Sequence, residues 1–257
     1  MRTNKGTSTS SGPNRHHGMI RPVKKLQAAI GPGTCGLALF FAAIGPVSGA
    51  DATPSYPSMA PIGQYRMASP TEEIALARSA APASISNDAE VMVLGDHGYE
   101  TAVKGKNGFV CIIERSWANN FDNAEFWNFK NRSPLCFNPD AARTVLPGYL
   151  ERTRWVLTGV SKDEMLNRTV ASAKATKVSP QGFSYMMSKQ SYLSDLDTHG
   201  GHWHPHVMFF GFRTTAAAWG ADLDGSPIYT PGYSGEDQVT LFFIPVAKWS
   251  DGTPDQH

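Results

Sequence analysis

The stretch HWHPHVMFFGF, residues 202–212, runs from a row of three histidines straight into an apolar segment. The apolar half is short and rich in phenylalanine, which is typical of a buried strand. Pro205 has no N–H to give to a strand ladder, so this segment lies at a sheet edge, a strand start or a bulge. A second strand-like run, VTLFFIPVAKW at 239–249, follows after a turn-rich segment. The end of the chain is therefore predicted to form antiparallel strands.

Three earlier segments also have the composition of strands: AEVMVLG (89–95), YETAVKGKNGFVCIIERS (99–116) and FSYMMSK (183–189). In the second of them Asn107-Gly108 lies between two strand-like halves. Both residues tolerate the positive φ of a tight turn, so this dipeptide predicts a β-hairpin.

Helix starts lie between and before these strands. Ser69 followed by Pro70, and Asn138 followed by Pro139, have the form of an N-cap and a first helical residue. Ser161 opens a capping box of the Ser-x-x-Glu type. Strands, then helices, then strands predict an α+β domain: a mostly antiparallel sheet with a few helices packed on it.

The first fifty residues predict a secretory signal peptide. A basic start, MIRPVKK from Met19, precedes the apolar run 26–45, and VSGA ends the segment with small residues. We interpret Met19 as the translation start and Ala50 as the last residue removed. The chain is then exported to the periplasm or the extracellular space, with no stable membrane anchor after the signal is removed.

The remaining 207 residues divide into an extended Pro-rich arm, 51–68, expected on the surface, and a single α+β domain, 69–257. Residues 1–50 hold six of the 23 basic residues and none of the 22 acidic ones, so their removal leaves a formal net charge of −5. A negative balance of this size argues against nucleic acid or anionic lipid as a partner.

Cys111 and Cys136 are the two cysteines left after residue 50. In an exported chain two cysteines favour a disulfide, which here closes a loop of about 25 residues and contributes about 3–4 kcal/mol in the chain-entropy model. A thiolate metal pair is the alternative. The loop between them is dense in aromatic residues, which we interpret as a core folded back on the sheet rather than a binding surface.

The histidine row is the candidate metal site. On a straight strand His202, His204 and His206 share one face, and imidazoles two residues apart can both reach one ion. The outer pair would be about 13–14 Å apart, so a third ligand requires a bulge at Pro205. His204, the middle member, is expected to matter most.

Further ligands lie just before this row. Asp195, Asp197 and His199 precede the flexible pair Gly200-Gly201, which would let a carboxylate or imidazole fold back over the strand. This set suits zinc, copper, iron or manganese, and Met208 on the same face favours copper slightly. Asp195 and Asp197 are also the candidate catalytic bases of a metal-dependent hydrolase or oxidoreductase acting on a small-molecule substrate.

Two alternatives remain open at this stage. The histidines could be structural, bonded to carbonyls or acting as a pH-sensitive latch, since imidazole titrates between about pH 5 and 8. The protein could instead be a non-catalytic exported binding protein whose aromatic segment forms a groove for a small molecule.

Four short stretches also resemble a recurring group of exported bacterial proteins: ALARSAAPASISNDAEVMV (75–93), GKNGFVC (105–111), PLC (134–136) and HPHVM (204–208). The likeness covers most of residues 70–250. It implies secretion and a shared fold, and it implies no activity.

Overall fold

The computed structural model describes residues 56–175, 181–195, 204–231 and 233–256, which all belong to one compact unit, Asp51–His257. The signal peptide predicted at 1–50 lies outside the described residues. Eight strands in this part of the chain form one sheet, in the spatial order β2-β1-β3-β4-β5-β6-β8-β7. The strands are β1 Glu90–Leu94, β2 Tyr99–Val103, β3 Val110–Glu114, β4 Ser133–Phe137, β5 Phe183–Met186, β6 His206–Phe212, β7 Tyr233–Ser234 and β8 Val239–Pro245.

All neighbouring strands pair antiparallel except β1 and β3, which are parallel. The prediction of a mostly antiparallel α+β domain is therefore confirmed. The α-helices are α1 Pro70–Arg78, α2 Ala83–Ser86, α3 Pro139–Thr144, α4 Leu146–Leu157 and α5 Lys162–Ala175. No helix among the described residues is both long and apolar enough to cross a membrane.

The three expected helix starts are confirmed by their caps. The side-chain oxygen of Ser69 accepts from a backbone N–H three residues on, at 3.2 Å, and Ser161 does the same at the same distance. The side-chain oxygen of Asn138 accepts from the corresponding N–H of α3 at 2.9 Å. These bonds satisfy N–H groups that the first turn of a helix leaves without a partner.

The hairpin predicted at Asn107-Gly108 is wrong. β2 and β3, which this turn connects, do not pair with each other, because β1 lies between them. The local turn chemistry is nonetheless present: Gly108 has φ +77°, and the Asn107 side chain accepts from Phe109 N–H while donating to the Ile85 carbonyl. The dipeptide marks a turn, but tertiary pairing selects the partner strand.

The sheet carries apolar side chains on both faces. Ile112 of β3 belongs to the larger core cluster, whereas its neighbours Cys111 and Ile113 belong to a second cluster that includes α1. This alternation follows from the two-residue period of a strand. Helix α1 packs on β1, β3 and β4, and α3 packs on β4 and β5.

The predicted disulfide Cys111–Cys136 is confirmed, and it joins residues directly opposite each other on β3 and β4. The loop between these strands folds back into the larger core: Trp117, Phe121 and Phe126 are each at most 5% exposed. The interpretation of this segment as core is therefore confirmed, and it gives no support to an aromatic binding groove there.

The segment before α1 differs from the expected surface arm. Its described part, from residue 56, contains a 3₁₀ turn, Ile62–Tyr65, and Tyr65 is completely buried. The Tyr65 hydroxyl donates to the Trp127 carbonyl at 2.9 Å, and its ring packs against Trp117. One aromatic residue thus anchors a Pro-rich segment in the core.

Candidate functional site

The two described members of the histidine row, His204 and His206, have different surroundings. His204 lies before β6 with a side chain 52% exposed, and its Nδ1 is 2.6 Å from a carboxylate oxygen of Asp255. His206 is buried, and its ring packs edge-on against Phe243. β6 begins at His206, so His204 lies just before the strand.

The orientation of the His206 ring follows from its hydrogen bond. Nδ1 lies 2.7 Å from the His204 carbonyl oxygen, which can only accept, so Nδ1 carries the proton. Burial lowers the pKa of His206 to about 4, so this imidazole is neutral between pH 5 and 8 and does not act as a latch in that range.

His199, His202 and Asp197 lie outside the described residues. Within the described ranges, no group of three or more His, Cys, Asp or Glu side chains is placed to hold a metal ion. The metal site expected on this strand therefore stays a prediction.

Asp195, the remaining described candidate, is held by three donors. Its carboxylate accepts from the hydroxyls of Tyr56 and Tyr192 and from Lys130 Nζ at 3.0 Å. Its backbone N–H donates to Glu125 at 2.8 Å. Its side chain is only 7% exposed and makes no bond to His204 or His206 in the described chain. This geometry suits an anchor for the adjacent loop.

A larger feature that the sequence did not indicate is a cavity of about 230 Å³ between the helices and the sheet. Its rim is exposed and opens to solvent, whereas its interior includes Phe210, which is 3% exposed. The apolar lining residues are Ala118, Val145, Pro147, Trp155, Ala173, Phe210, Val239 and Leu241, and the polar ones are Asn120, Thr144, Tyr149, Glu151, Arg152, Thr169, Ser172 and Asp237.

Glu114 lies behind one end of this cavity. It lines a void of about 10 Å³, the size of one water position, whose wall includes Tyr149 and Arg152, and these two residues also line the larger cavity. Burial raises the pKa of Glu114 to about 8, against the opposing effects of the Tyr149 hydroxyl and the Arg152 guanidinium. This carboxyl therefore keeps its proton at neutral pH.

Arg152 is the cation of this cluster. Its Nη1 donates to the carbonyls of Trp117, Ala118 and Asn119 at 3.1–3.3 Å, and its Cζ lies 4.5 Å from the centre of the Phe121 ring. Burial lowers the pKa of Arg152, an effect that the Asp237 carboxylate opposes most strongly. A guanidinium nevertheless stays charged in a protein.

The position of this cluster follows from local structure. Glu114 is the last residue of β3, and Tyr149 and Arg152 are one turn apart on α4, so they project from the same face of that helix. The Trp117 indole N–H donates to Thr153 Oγ1 at 3.0 Å, which fixes the 3₁₀ turn after β3 against α4. Burial also raises the pKa of Tyr149, so the phenol stays protonated.

The arrangement combines apolar walls with a cluster of hydrogen-bond donors and charges at one end. That combination is the usual form of a small-molecule site, since the walls supply contact and a few polar groups supply orientation. A carboxyl with a strongly raised pKa beside a cavity is also a common mark of function.

Comparison of the chain with protein-family models, with curated proteins and with solved structures gives no match. The site therefore has to be interpreted from its own residues.

Sequence analysis missed this cluster because its members are far apart in the chain. The available signals were local and weak: a Glu-Arg pair ending the apolar run of β3, and a Tyr-x-x-Arg spacing on α4. Neither indicates a site until the topology places the end of β3 against α4.

Proposed function

We propose that the protein is an exported, non-catalytic binding protein whose cavity takes a small amphipathic molecule. The observation that carries this proposal is the cavity of about 230 Å³, whose lining contains apolar and polar side chains in equal number. Water against the apolar side chains of such a cavity is unfavourable. A ligand with an apolar body is therefore expected to displace it.

The position of the cavity supports the proposal. Its floor is formed by Phe210 of β6 and by Val239 and Leu241 of β8, whose strands pair along their full length. Helices α4 and α5 provide the opposite wall. A site between rigid elements is pre-formed, so little entropy is lost in ordering the protein when a ligand binds.

The test uses three eight-carbon probes that differ only in the polar group: octanol, octylamine and octanoate. Isothermal titration of the purified chain 51–257 is expected to show saturable binding of at least one probe. In Val239→Phe, which fills the cavity from the half-buried start of β8, the affinity of that probe should fall at least tenfold.

Leu223→Phe is the matched control, because Leu223 is 62% exposed and does not line the cavity. It should bind the probes as the unmodified chain does. Absence of saturable binding by all three probes, or equal binding in Val239→Phe and Leu223→Phe, would overturn the proposal.

A metal-dependent function at the histidine row is the second candidate, and one observation favours it. In both described histidines Nδ1 is held, by the Asp255 carboxylate in His204 and by a backbone carbonyl in His206. Such contacts orient an imidazole so that Nε2 faces a metal. Elemental analysis of the purified protein tests this idea, and less than about a tenth of an equivalent of zinc, copper, iron or manganese after reconstitution would count against it. Where metal is bound, His204→Ala is expected to weaken binding more than His202→Ala or His206→Ala.

A further inference from the structure

Arg152 is a cation at the wall of the cavity without an ion-pair partner in the described chain. Only its Nη1 makes hydrogen bonds there, and these go to backbone carbonyls. No carboxylate among the described residues lies within 4.0 Å of the guanidinium. Arg152 is half-buried, and charges that are partly removed from water are normally paired. A guanidinium at a cavity with no ion pair in the described chain therefore points to an anion that completes the site.

Near Arg152, hydrogen-bond donors outnumber the negatively charged groups that lie within ion-pair distance. Glu114 is protonated at neutral pH and adds no negative charge, and Tyr149 is a neutral phenol. The carboxylates of Asp237 and Glu236 influence Arg152 from beyond ion-pair distance. The guanidinium Nε and Nη2 form a fork that matches the two oxygens of a carboxylate.

We propose that the ligand of this cavity carries a carboxylate, which pairs with Arg152 beside Tyr149. The inference rests on the proposed function and specifies its ligand. The apolar body of such an acid would lie against Phe210, Val239 and Leu241, opposite the polar end.

An amine fits this end less well. It would approach Asp237, but it would also lie close to the unpaired guanidinium and to a carboxyl that carries no charge. A neutral alcohol could bind in the apolar part but would leave Arg152 without a counter-charge. Glu151 and Asp237 also line the cavity, so a carboxylate is favoured by its direct pairing with the guanidinium and not by the summed charge of the lining.

The charge state of Glu114 is expected to make carboxylate binding depend on pH. Above pH 8 Glu114 becomes a carboxylate and competes for the same guanidinium, which disfavours a second anion. The affinity for a carboxylate ligand should therefore fall by up to about tenfold per pH unit above pH 8. By linkage, binding of the ligand near pH 8 should be accompanied by uptake of a proton.

Other groups near this site do not titrate in the same range. The small void also contains Tyr99 from β2, Tyr149 from α4 and the guanidiniums of Arg115 and Arg152. Burial raises the pKa values of both tyrosines above their ordinary value of 10.0, and arginines keep their charge. Glu114 is therefore the group expected to control binding between pH 7 and 9.

The experiment measures octanoate and octanol affinities from pH 6.5 to 9.5 by isothermal titration. At pH 7 the unmodified chain should bind octanoate at least tenfold more tightly than octanol, and only octanoate should weaken above pH 8. Glu114→Gln should remove this pH dependence, and Arg152→Gln should weaken octanoate binding at least tenfold more than it weakens octanol binding.

Proton uptake gives a readout that needs no variant. Titration of the unmodified chain at pH 8, where Glu114 is half ionised, should show about half a proton taken up per octanoate and none per octanol when buffers of different ionisation enthalpy are compared. Equal affinities for octanoate and octanol, both lost in Val239→Phe, would overturn the carboxylate inference and leave the cavity function standing. Failure of every probe to bind would instead overturn the proposed function.

Discussion

Two arginines of this protein lie near the same end of β3 and differ in how their charge is satisfied. Arg115 donates to the Tyr65 and Ile113 carbonyls and to Glu73 Oε1, at 2.5–2.9 Å, and its side chain is fully buried. Arg152 makes longer bonds, to backbone carbonyls only, and lines a cavity. The closed cluster around Arg115 fixes α1 and the segment before it to the sheet, whereas the open cluster around Arg152 is available to a ligand.

The comparison teaches that burial of a charge does not identify a site. A buried arginine whose donors meet carbonyls and a carboxylate is part of the structure, since every polar group already has a partner. A half-buried arginine beside an open cavity, with no carboxylate of the described chain within ion-pair distance, still has donors left to bind a ligand. The predictions that follow test this difference.

The largest effect is expected for Glu73→Gln, which leaves the fully buried Arg115 without its counter-charge. Breaking a buried ion pair from one side costs about 3–5 kcal/mol. Urea unfolding at pH 7 measures the loss. Glu164→Gln is the control, because its ion pair with Arg168 is exposed, and it should leave the midpoint unchanged within error. Octanoate affinity should stay the same in both variants.

Glu114→Gln should stabilise the folded protein, whereas Glu73→Gln should destabilise it. The folded-state pKa of about 8 lies above the ordinary glutamate pKa of 4.5. Between these values the unfolded chain has lost a proton that the folded chain keeps, so stability falls as pH rises, by at most about 1.4 kcal/mol per pH unit. The free energy of unfolding of Glu114→Gln lacks this pH-dependent decrease. Relative to the unmodified chain, the variant should therefore become more stable as pH rises from 5 to 8.

Urea unfolding at pH 5, 6.5 and 8 measures this difference. Glu100→Gln, on an exposed position of β2, is the control and should follow the unmodified chain at each pH. Parallel stability curves for Glu114→Gln and the unmodified chain would show that Glu114 is ionised in the folded protein, and the open cluster would then resemble the closed one.

A matched pair of substitutions sharpens the comparison at the arginines themselves. Arg115→Lys replaces a guanidinium that donates to three acceptors by a single ammonium. The free energy of unfolding should therefore fall by about 2 kcal/mol. Arg152→Lys loses only the longer carbonyl bonds, so it should cost about 1 kcal/mol. Octanoate affinity should fall in Arg152→Lys alone. A larger loss of stability in Arg152→Lys than in Arg115→Lys would contradict the assignment of the two clusters.

The smallest effect is expected for Ser69→Ala, which removes the N-cap of the helix that carries Glu73. Loss of such a cap costs about 1 kcal/mol. Thermal unfolding should show a lower midpoint, with octanoate affinity unchanged. Ser84→Ala, at an exposed position of α2, should leave the midpoint where it is. No shift for Ser69→Ala would mean that packing on the sheet, rather than the cap, holds α1.

The features that the sequence predicted correctly are those that depend on neighbouring residues. The caps at Ser69, Asn138 and Ser161 involve residues only three apart, and strands β1, β5, β6 and β8 fall within the expected apolar runs. The disulfide followed from there being two cysteines in a segment expected to be exported.

The features that it did not predict depend on which elements meet. Asn107-Gly108 has the chemistry of a turn, but the position of β1 between β2 and β3 is decided by the whole sheet. Glu114 and Arg152 meet only because α4 packs against the turn that follows β3. The clustered histidines were conspicuous in the sequence, yet the two described ones have different surroundings.

The disulfide between β3 and β4 has a consequence for how the chain is oxidised. The unit Asp51–His257 contains two cysteines, so oxidation within one molecule has a single product, Cys111–Cys136. An oxidant is needed, but a disulfide isomerase would have no incorrect intramolecular pairing to repair. Formation of the bond also closes a ring around the segment that carries Glu114 and the three carbonyls bound by Arg152. The covalent chemistry of maturation therefore fixes the backbone next to the proposed ligand site.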